Sequence, residues 1–213
     1  MRLDVALVSC RHLPEPDLDA APLAAALTAA GLSFRVAAWD DRQVDWADAR
    51  LTVLRSCWNY PRHAGAFVAW AEATAKITTL LNPLPVLRWN VHKRYLLDLE
   101  SHGIPVTPTV MVLQGSITTL AQIRRERGWQ EVVVKPAVSA ASFRTMLVTP
   151  DEMSAGEAHL RGLVAQRDTL VQAYLPAVEE YGERALIWVE GRLTHAIRKT
   201  PRLSGQDESV SSD

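Results

Sequence analysis

The sequence is poor in cysteine and has no long apolar run, and each shortage excludes a class of protein. Cys10 and Cys57 are the only cysteines among 213 residues, too few for a disulfide framework, so we expect reduced, buried thiols. The 6 histidines show no zinc-ligand spacing, and we assign no metal ligand. No apolar segment approaches the length of a transmembrane helix, and no signal peptide follows Met1. We therefore expect a cytoplasmic protein that does not enter a membrane.

An excess of charge of one sign is also missing. Lysine and arginine total 23 and aspartate and glutamate total 24, which gives a formal net charge of −1. This balance gives no electrostatic indication of a nucleic-acid partner or of a membrane surface. The hydrophobic share of 48% is enough for one large core or two small ones. The composition therefore favours a globular protein that handles a small polar metabolite.

Two common catalytic or binding motifs are absent as well. No Gly-x-Gly-x-x-Gly turn is present, which argues against a nicotinamide- or flavin-binding Rossmann domain. No Ser-His-Asp or Cys-His array indicates a protein nucleophile. The sequence therefore favours neither a dinucleotide-binding Rossmann domain nor a protein nucleophile.

The first part of the chain alternates predicted strands with predicted helices. Apolar runs predict strands at 4–9, 33–39 and 51–56, and helical spacing of apolar residues predicts helices at 18–32 and 64–76. This alternation predicts a parallel sheet covered on both faces. In such a sheet, ligands bind beyond the carboxyl ends of the strands.

Aromatic and polar side chains lie at the carboxyl end of the strand predicted at 51–56. We identify Arg55, Trp58, Asn59 and Tyr60 as candidate substrate residues, because they would be exposed where a ligand could bind. Packing of the aromatic rings at a domain interface is the alternative interpretation.

Asparagine and proline between residues 82 and 90 predict a domain boundary. We expect an α/β domain over residues 1–88, an α+β domain over 89–200 and a polar, disordered tail over 201–213. The second domain is predicted to contain helices at 89–102, 117–127 and 151–166, the last capped by Asp151, and strands at 109–113, 132–135, 144–148, 169–175, 185–189 and 193–198. We expect the strand at 144–148 to pair with that at 132–135, and Glu190–Gly191 to form a tight turn between the last two strands. The last of these strands would leave an unpaired sheet edge unless further chain or a partner covers it.

Lys135 occupies a position that suits a bound phosphate, and Lys93 is a second lysine whose position is considered with it. Lys135 ends an apolar strand, so its stem can stay beside the core while its ammonium reaches beyond the sheet edge. Lys93 is predicted on the polar side of the 89–102 helix, close to its start. A solvated lysine is the alternative for each position.

Four short motifs occur in an order and spacing that resemble the ATP-grasp superfamily in its glutathione-synthetase-like form. They are Asn90-x-x-Lys93, the Val-Val-Lys-Pro strand end at 132–136, Val171–Gln172 and Gly182–Glu183. Three further segments, at 38–41, 54–61 and 193–201, are most similar to the branch that contains the cyclo-ligase of D-cycloserine biosynthesis. The resemblance implies an α/β fold class, in which a parallel pre-ATP-grasp α/β domain is followed by an incomplete α+β ATP-grasp domain.

The resemblance also implies a nucleotide site. Lys93 and Lys135 match the lysines that hold the ATP phosphates, and Glu183 matches the acid that binds the ribose hydroxyls, with Glu179 and Glu180 as competing candidates. Four consecutive residues match the segment whose backbone pairs with adenine: Gln172, Ala173, Tyr174 and Leu175. An ordinary buried strand is the alternative for this segment.

A cation near the transferred phosphate is implied at the end of the last predicted strand. Arg198 and Lys199 match this position and would take a catalytic role by neutralising developing charge. A solvated basic strand end is the alternative.

The implied activity is that of an ATP-dependent ligase, which phosphorylates a carboxyl-type oxygen and forms a C–N bond when an amine nitrogen attacks. ATP and Mg²⁺ are the implied cofactors, the partner is a small-molecule carboxylate or amino-acid-like substrate, and a homo-oligomer is left open. In the cyclo-ligase branch, ATP drives ring closure of O-ureido-D-serine in antibiotic biosynthesis. Two alternatives stay open: a non-catalytic nucleotide- or metabolite-binding module, and a phosphotransferase of a different fold.

Two features depart from the pattern of this superfamily. The loop at 137–144 contains no glycine, although the superfamily usually has glycine there so that backbone N–H groups can close over the phosphates. The magnesium ligands of the superfamily lie on strands downstream of the last strand predicted here, and we do not transfer their role to Asp207 and Glu208 in the polar tail. We therefore expect a C-terminally truncated ligase whose catalytic competence is open.

Overall fold

The computed structural model describes residues 2–199, except for the side chains of Glu180 and Lys199. Within this range the chain forms two compact units, residues 2–95 and residues 96–199. The α/β class expected from the sequence is confirmed, since one unit contains a parallel sheet and the other contains antiparallel sheets. The domain limits 1–88 and 89–200 stay a prediction, and the expected tail at 201–213 lies outside the described residues.

A four-stranded parallel sheet forms the centre of the first unit. Its order is β2-β1-β3-β4, with β1 at Leu3–Ser9, β2 at Phe34–Ala38, β3 at Ala49–Ser56 and β4 at Thr79–Leu81. Every residue of β1 from Val5 to Ser9 is buried, which accounts for its continuous apolar run. β4 is not predictable from the sequence, because three residues are too few to show a period.

Aromatic side chains fill much of the core of the first unit. Its helices are α1 (Ala20–Ala29), α2 (Ala64–Thr74) and α3 (Leu84–Val91). Trp39, directly after β2, lies against Phe67 of α2 with ring centroids 5.0 Å apart. Trp70 stacks on Phe67 at 5.6 Å and meets Trp46 edge-on at 5.1 Å. Each such ring buries about 150–250 Å², so this cluster fixes the chain that follows β2.

The single helix predicted over residues 89–102 is wrong. The chain instead forms α3 and, after a turn, α4 (Tyr95–Ser101). Pro85 lies in the first turn of α3, where its missing N–H is not needed. A proline that was interpreted as part of a domain boundary therefore lies at the start of a helix. His92 then takes an extended backbone conformation (φ −111°, ψ 125°) and ends that helix. Lys93 therefore lies in the turn between two helices.

A four-stranded antiparallel sheet organises the second unit. Its order is β5-β8-β6-β7, with β5 at Thr109–Val112, β6 at Val132–Pro136, β7 at Met146–Val148 and β8 at Thr169–Ala173. The predicted pairing of the strand after residue 144 with β6 is confirmed, because Val132 pairs with Val148 and Val134 pairs with Met146. Helices α5 (Leu120–Arg127) and α6 (Met153–Val164) pack against this sheet.

The start of α6 differs from the prediction. Thr149, not Asp151, is the capping residue: its N–H and hydroxyl both donate to Glu152 Oε2, at 3.2 and 2.9 Å. A 3₁₀ turn at Pro150–Glu152 follows, and α6 proper begins at Met153. This capping box belongs to the 3₁₀ turn, and the residue before α6, Glu152, makes no side-chain capping hydrogen bond to that helix.

A separate antiparallel hairpin ends the described chain. Helix α7 (Ala177–Tyr181), which the sequence did not indicate, leads into β9 (Glu183–Val189) and β10 (Arg192–Lys199). The predicted turn between them is confirmed, with positive φ at Glu190 (50°) and Gly191 (74°). Within residues 2–199, these two strands pair only with each other. No helix in that range is both long and apolar enough to cross a bilayer.

Gly156 sets the distance between α6 and its neighbours. A Cβ atom at this position would lie 2.5 Å from Val148 Cγ1 and 3.0 Å from Leu120 Cδ2. Val148 and Leu120 are fully buried and have no room to move. By contrast, a Cβ atom at Gly162 of the same helix would meet nothing within 4 Å.

Alanine at these two glycines should change stability in opposite directions. We expect Gly156→Ala to lower the free energy of unfolding by about 1–3 kcal/mol through overpacking. Gly162→Ala should raise it by about 0.5–1 kcal/mol, because alanine is the better helix former. Urea denaturation followed by circular dichroism measures both variants, and equal effects of the two substitutions would contradict the packing argument.

Candidate functional site

In the second unit, the fold brings Lys135 close to Glu183. Lys135 lies near the end of β6, half-buried, and Glu183 begins β9. Burial lowers the pKa of the Lys135 ammonium, and the neighbouring Glu183 carboxylate acts in the opposite direction. A partly desolvated ammonium beside a carboxylate forms a polar site that can neutralise a polyanion and accept hydrogen bonds from hydroxyl groups.

The loop after β6 takes glycine-like conformations without glycine. Ala141, Ser142 and Arg144 have φ values of 47°, 56° and 51°. Ser139 is buried and its hydroxyl donates to Pro136 O at 3.1 Å, while the Ala137 N–H donates to Asp168 O at 2.9 Å. The loop is therefore internally ordered, although each left-handed residue costs about 1 kcal/mol relative to glycine.

The segment expected to pair with adenine leaves the sheet at the end of β8. Gln172 is buried, and its side-chain Nε2 donates to Thr109 Oγ1 at 2.8 Å. The N–H of Ala173 donates to Pro108 O and that of Tyr174 donates to Glu131 O, both at 3.1 Å. Because these two donors are already engaged, Leu175 is the residue of the segment best placed to donate to a base.

Tyr174 separates the competing glutamates. Burial, together with the carboxylates of Glu179 and Glu131, raises the pKa of the Tyr174 phenol to about 12. Glu179 is thus associated with Tyr174, whereas Glu183 is associated with Lys135. The side chain of Glu180 lies outside the description.

In the β9–β10 hairpin, the two predicted catalytic cations belong to different cross-strand pairs. Arg198 pairs with Arg184, and Lys199 pairs with Glu183. Side chains alternate between the faces of a strand, so Arg198 lies on the face opposite that of Glu183. The backbone of Lys199 ends β10, and its side chain lies outside the described part of the chain. Lys93 is half-buried and belongs to the first unit.

In the first unit, Arg55 is held by acidic partners. Its guanidinium lies 3.3 Å from Asp17 Oδ1 and 3.2 Å from Asp19 Oδ2. The Ser56 hydroxyl also donates to Asp17, and these contacts hold the pKa of the Asp17 carboxyl below its ordinary value. The loop between β1 and α1 is thereby tied to the end of β3.

The aromatic candidates divide between exposure and packing. Trp58 is 49% exposed, whereas Tyr60 is half-buried and packs on Phe67 with ring centroids 5.4 Å apart. Burial raises the pKa of the Tyr60 phenol, as does the nearby Tyr95. Trp58 is the ring available to a ligand at this edge.

Asn59, a predicted substrate residue, is engaged at both ends of its amide. Its Oδ1 accepts from Trp39 Nε1 and its Nδ2 donates to Asp40 Oδ2, each at 2.7 Å. The other oxygen of Asp40 accepts the Arg11 N–H at 2.9 Å. Asp40 and Arg11 were not selected from the sequence; the Asp-Asp pair directly after a predicted strand was the available signal.

The thiols and the metal-binding side chains give no catalytic centre. Cys10 and Cys57 are unpaired thiols, and burial and the adjacent Cys10 raise the pKa of Cys57 to about 12, which opposes a nucleophilic role. Within residues 2–199, no three His, Cys, Asp or Glu side chains form a group that could hold a metal ion. The described residues therefore do not fit a magnesium site, and we assign no step to that ion.

Comparison with known proteins relates both units to one family. A family model described as the N-terminal domain of D-cycloserine synthetase DcsG matches residues 5–82. The cycloserine biosynthesis protein DcsG of Streptomyces lavendulae is 34% identical over 188 residues, which cover 86% of this chain and 62% of that protein. This chain thus spans less than two thirds of the length of that relative.

Solved structures agree with this assignment. The crystal structure of D-cycloserine synthetase DcsG matches with a TM-score of 0.84 and 33% identity, over 92% of this chain and 67% of that one. A RimK domain ATP-grasp protein from Sphaerobacter thermophilus shares the fold with a TM-score of 0.67 and 22% identity, over 86% and 68% of the two chains. D-alanyl-alanine synthetase A from Vibrio cholerae does so at 0.63 and 15%, over 91% and 65%. The chain therefore belongs to the family of D-cycloserine synthetase DcsG and shares its fold with ATP-grasp proteins.

Proposed function

We propose that this chain provides the nucleotide- and substrate-binding part of an ATP-dependent ligase that forms a C–N bond through a phosphorylated carboxyl-type intermediate. The observation that carries the proposal is the partly buried Lys135 beside Glu183, in a homologue of D-cycloserine synthetase. The full activity is a proposal because the chain spans 62% of its curated relative. A cytoplasmic location and a homo-oligomeric state belong to the same proposal.

The second unit offers contacts along the length of a nucleotide. In the paired strands β6 and β8, Val132 lies opposite Ala173 and Lys135 lies opposite Leu170. Three residues of strand separate the two positions by about 10 Å. We propose that a nucleotide lies along this strand pair, with its base at the Leu175 N–H, two residues beyond Ala173, and its phosphates at the Lys135 ammonium. Glu183 would then accept the ribose hydroxyls.

Three further cations complete the proposed phosphate contacts. Lys93 keeps the role that the superfamily resemblance implies, a second point charge for the phosphates. Arg198 and Lys199 would lie near the transferred group, as in the superfamily. The register of the hairpin opposes this role for Arg198, which lies on the face opposite Glu183.

The proposed chemistry needs no nucleophile from the protein. The γ-phosphoryl group of ATP moves to an oxygen of the carboxyl-type group and leaves ADP. The amine nitrogen then attacks the carbon of the phosphorylated carboxyl group, and the bond from that carbon to the phosphorylated oxygen breaks as phosphate leaves. In the cyclo-ligase form, the nitrogen and the activated carbon belong to one molecule, such as O-ureido-D-serine. The residues of this chain would contribute by positioning the reactants and neutralising charge. Arg55, Trp58, Asn59 and Tyr60 mark the proposed substrate edge.

A non-catalytic nucleotide-binding module is the second candidate function. It is favoured by one observation, that no side-chain group in residues 2–199 could hold a metal ion. Nucleotide binding without turnover by the purified chain would support it over the ligase.

Removal of the Lys135 ammonium should weaken ATP binding. We expect Lys135→Ala to raise the dissociation constant for ATP by about tenfold or more, because a partly desolvated charge contact is lost. Isothermal titration calorimetry in the presence of magnesium measures the effect. Lys76→Ala, which removes an exposed lysine after α2, is the matched control and should bind as the unsubstituted chain does. Equal affinities in all three proteins would disprove the Lys135 site.

The proposed ribose contact can be separated from a general electrostatic effect. We expect Glu183→Ala to weaken ATP binding by about tenfold and to leave the affinity for 2′,3′-dideoxy-ATP almost unchanged, since that analogue lacks the hydroxyls. Competition calorimetry with both nucleotides gives the comparison. An equal loss for both would mean that Glu183 acts through Lys135 and not through the ribose.

A further inference from the structure

Three loops meet at one carboxylate on the carboxyl edge of the parallel sheet. Asp40, in the loop after β2, accepts the Arg11 N–H from the loop after β1 and the Asn59 amide from the loop after β3. The two distances, 2.9 and 2.7 Å, are those of good hydrogen bonds, and each uses a different carboxylate oxygen. A single side chain thus connects the ends of all three long strands of the sheet.

The same network is anchored in the aromatic core. Asn59 Oδ1 accepts from the indole Nε1 of Trp39, which is only 6% exposed and lies against Phe67. The backbone N–H of Trp39 also donates to the backbone oxygen of Ser9, at 2.9 Å. The buried Trp39 ring therefore fixes the orientation of the Asn59 amide, and Asn59 in turn orients the Asp40 carboxylate. Asp40 then fixes the positions of the loops that it contacts.

Two of the connected loops present side chains to solvent. The Arg11 side chain is 51% exposed and is held on one side by Asp41, at 2.9 Å. Trp58, next to Asn59, is 49% exposed. A guanidinium has five donors in a fixed plane, so one carboxylate contact orients Arg11 without exhausting it.

We propose that Asp40 is a positioning residue for substrate recognition: with Asn59, it sets the places of Arg11 and Trp58, which contact a small amino-acid-like carboxylate. The inference rests on the proposed function and assigns Asn59 to support instead of direct contact. Arg11 would bind the substrate carboxylate, and the Trp58 ring would cover the apolar part of the molecule.

A reciprocal exchange tests positioning against direct contact. Asp40→Asn sets an amide N–H against a donor, and Asn59→Asp sets two carboxylates together, so each single variant breaks the network. In the double variant, the amide at position 40 accepts from Arg11 N–H and donates to the carboxylate at position 59. That carboxylate still accepts from Trp39 Nε1. Every hydrogen bond and the net charge are restored in the double variant, but the negative charge lies at position 59 instead of position 40.

The readouts are the calorimetric affinity for O-ureido-D-serine, the affinity for ATP, and the ¹H–¹⁵N signal of the Trp39 indole. We expect each single variant to weaken O-ureido-D-serine binding by about tenfold or more and to shift the indole signal. The double variant should regain both to within about threefold, and ATP affinity should stay constant throughout. Urea denaturation of each variant identifies any loss of folding, and the double variant then provides the decisive comparison.

Three results would overturn the proposal. A double variant as weak as the singles would show that the Asp40 charge itself meets the ligand. Single variants that bind like the unsubstituted chain would show that the network positions nothing. No binding of O-ureido-D-serine by a chain that binds ATP would remove this recognition surface and leave the nucleotide site intact. The reverse pattern, with the expected O-ureido-D-serine effects but no ATP binding, supports the Asp40 inference and rejects the nucleotide proposal.

Discussion

Burial of β1 on both faces is the constraint on which the first unit depends. Five consecutive residues of this strand, Val5 to Ser9, are buried, and all but the last are apolar. Polar groups collect instead where the strands end, and there the backbone donors of the loops need acceptors. Asp17 and Asp40 provide them, and each connects loops that are far apart in sequence. The candidate recognition surface is thus a consequence of how the sheet edge is satisfied.

In the second unit, the corresponding constraint is the close packing of α6 against the antiparallel sheet. Gly156 lets α6 approach β7 and α5, which covers one side of the antiparallel sheet. With the valines of β6 held in that core, the stem of Lys135 has a fixed base and its ammonium is partly withdrawn from water. The charge gains strength from that low-dielectric setting and would be lost to solvent on a looser strand.

Periodic segments were predictable from the sequence, and contacts between distant residues were not. β1, β3, β6 and the β9–β10 turn follow from apolar runs and turn chemistry. The 89–102 helix was misplaced because Pro85 begins a helix instead of ending a segment, and β4 was too short to recognise. Asp40 could not be identified as a loop anchor, since its partners lie 29 and 19 residues away. Lys135 was selected from its position at a strand end, the other nucleotide residues were selected through the family resemblance, and the roles of all of them stay predictions.

The β9–β10 hairpin at the end of the described chain should determine how association between dissolved molecules depends on salt. Leu186, Trp188 and Leu193 are each more than half exposed, and within residues 2–199 the ribbon has no third strand. Attraction between molecules through such a ribbon is apolar, so salt does not screen it, and salting-out ions strengthen it. Dissolved chains should therefore be best dispersed at low ionic strength. Ammonium sulfate should bring this protein out of solution early.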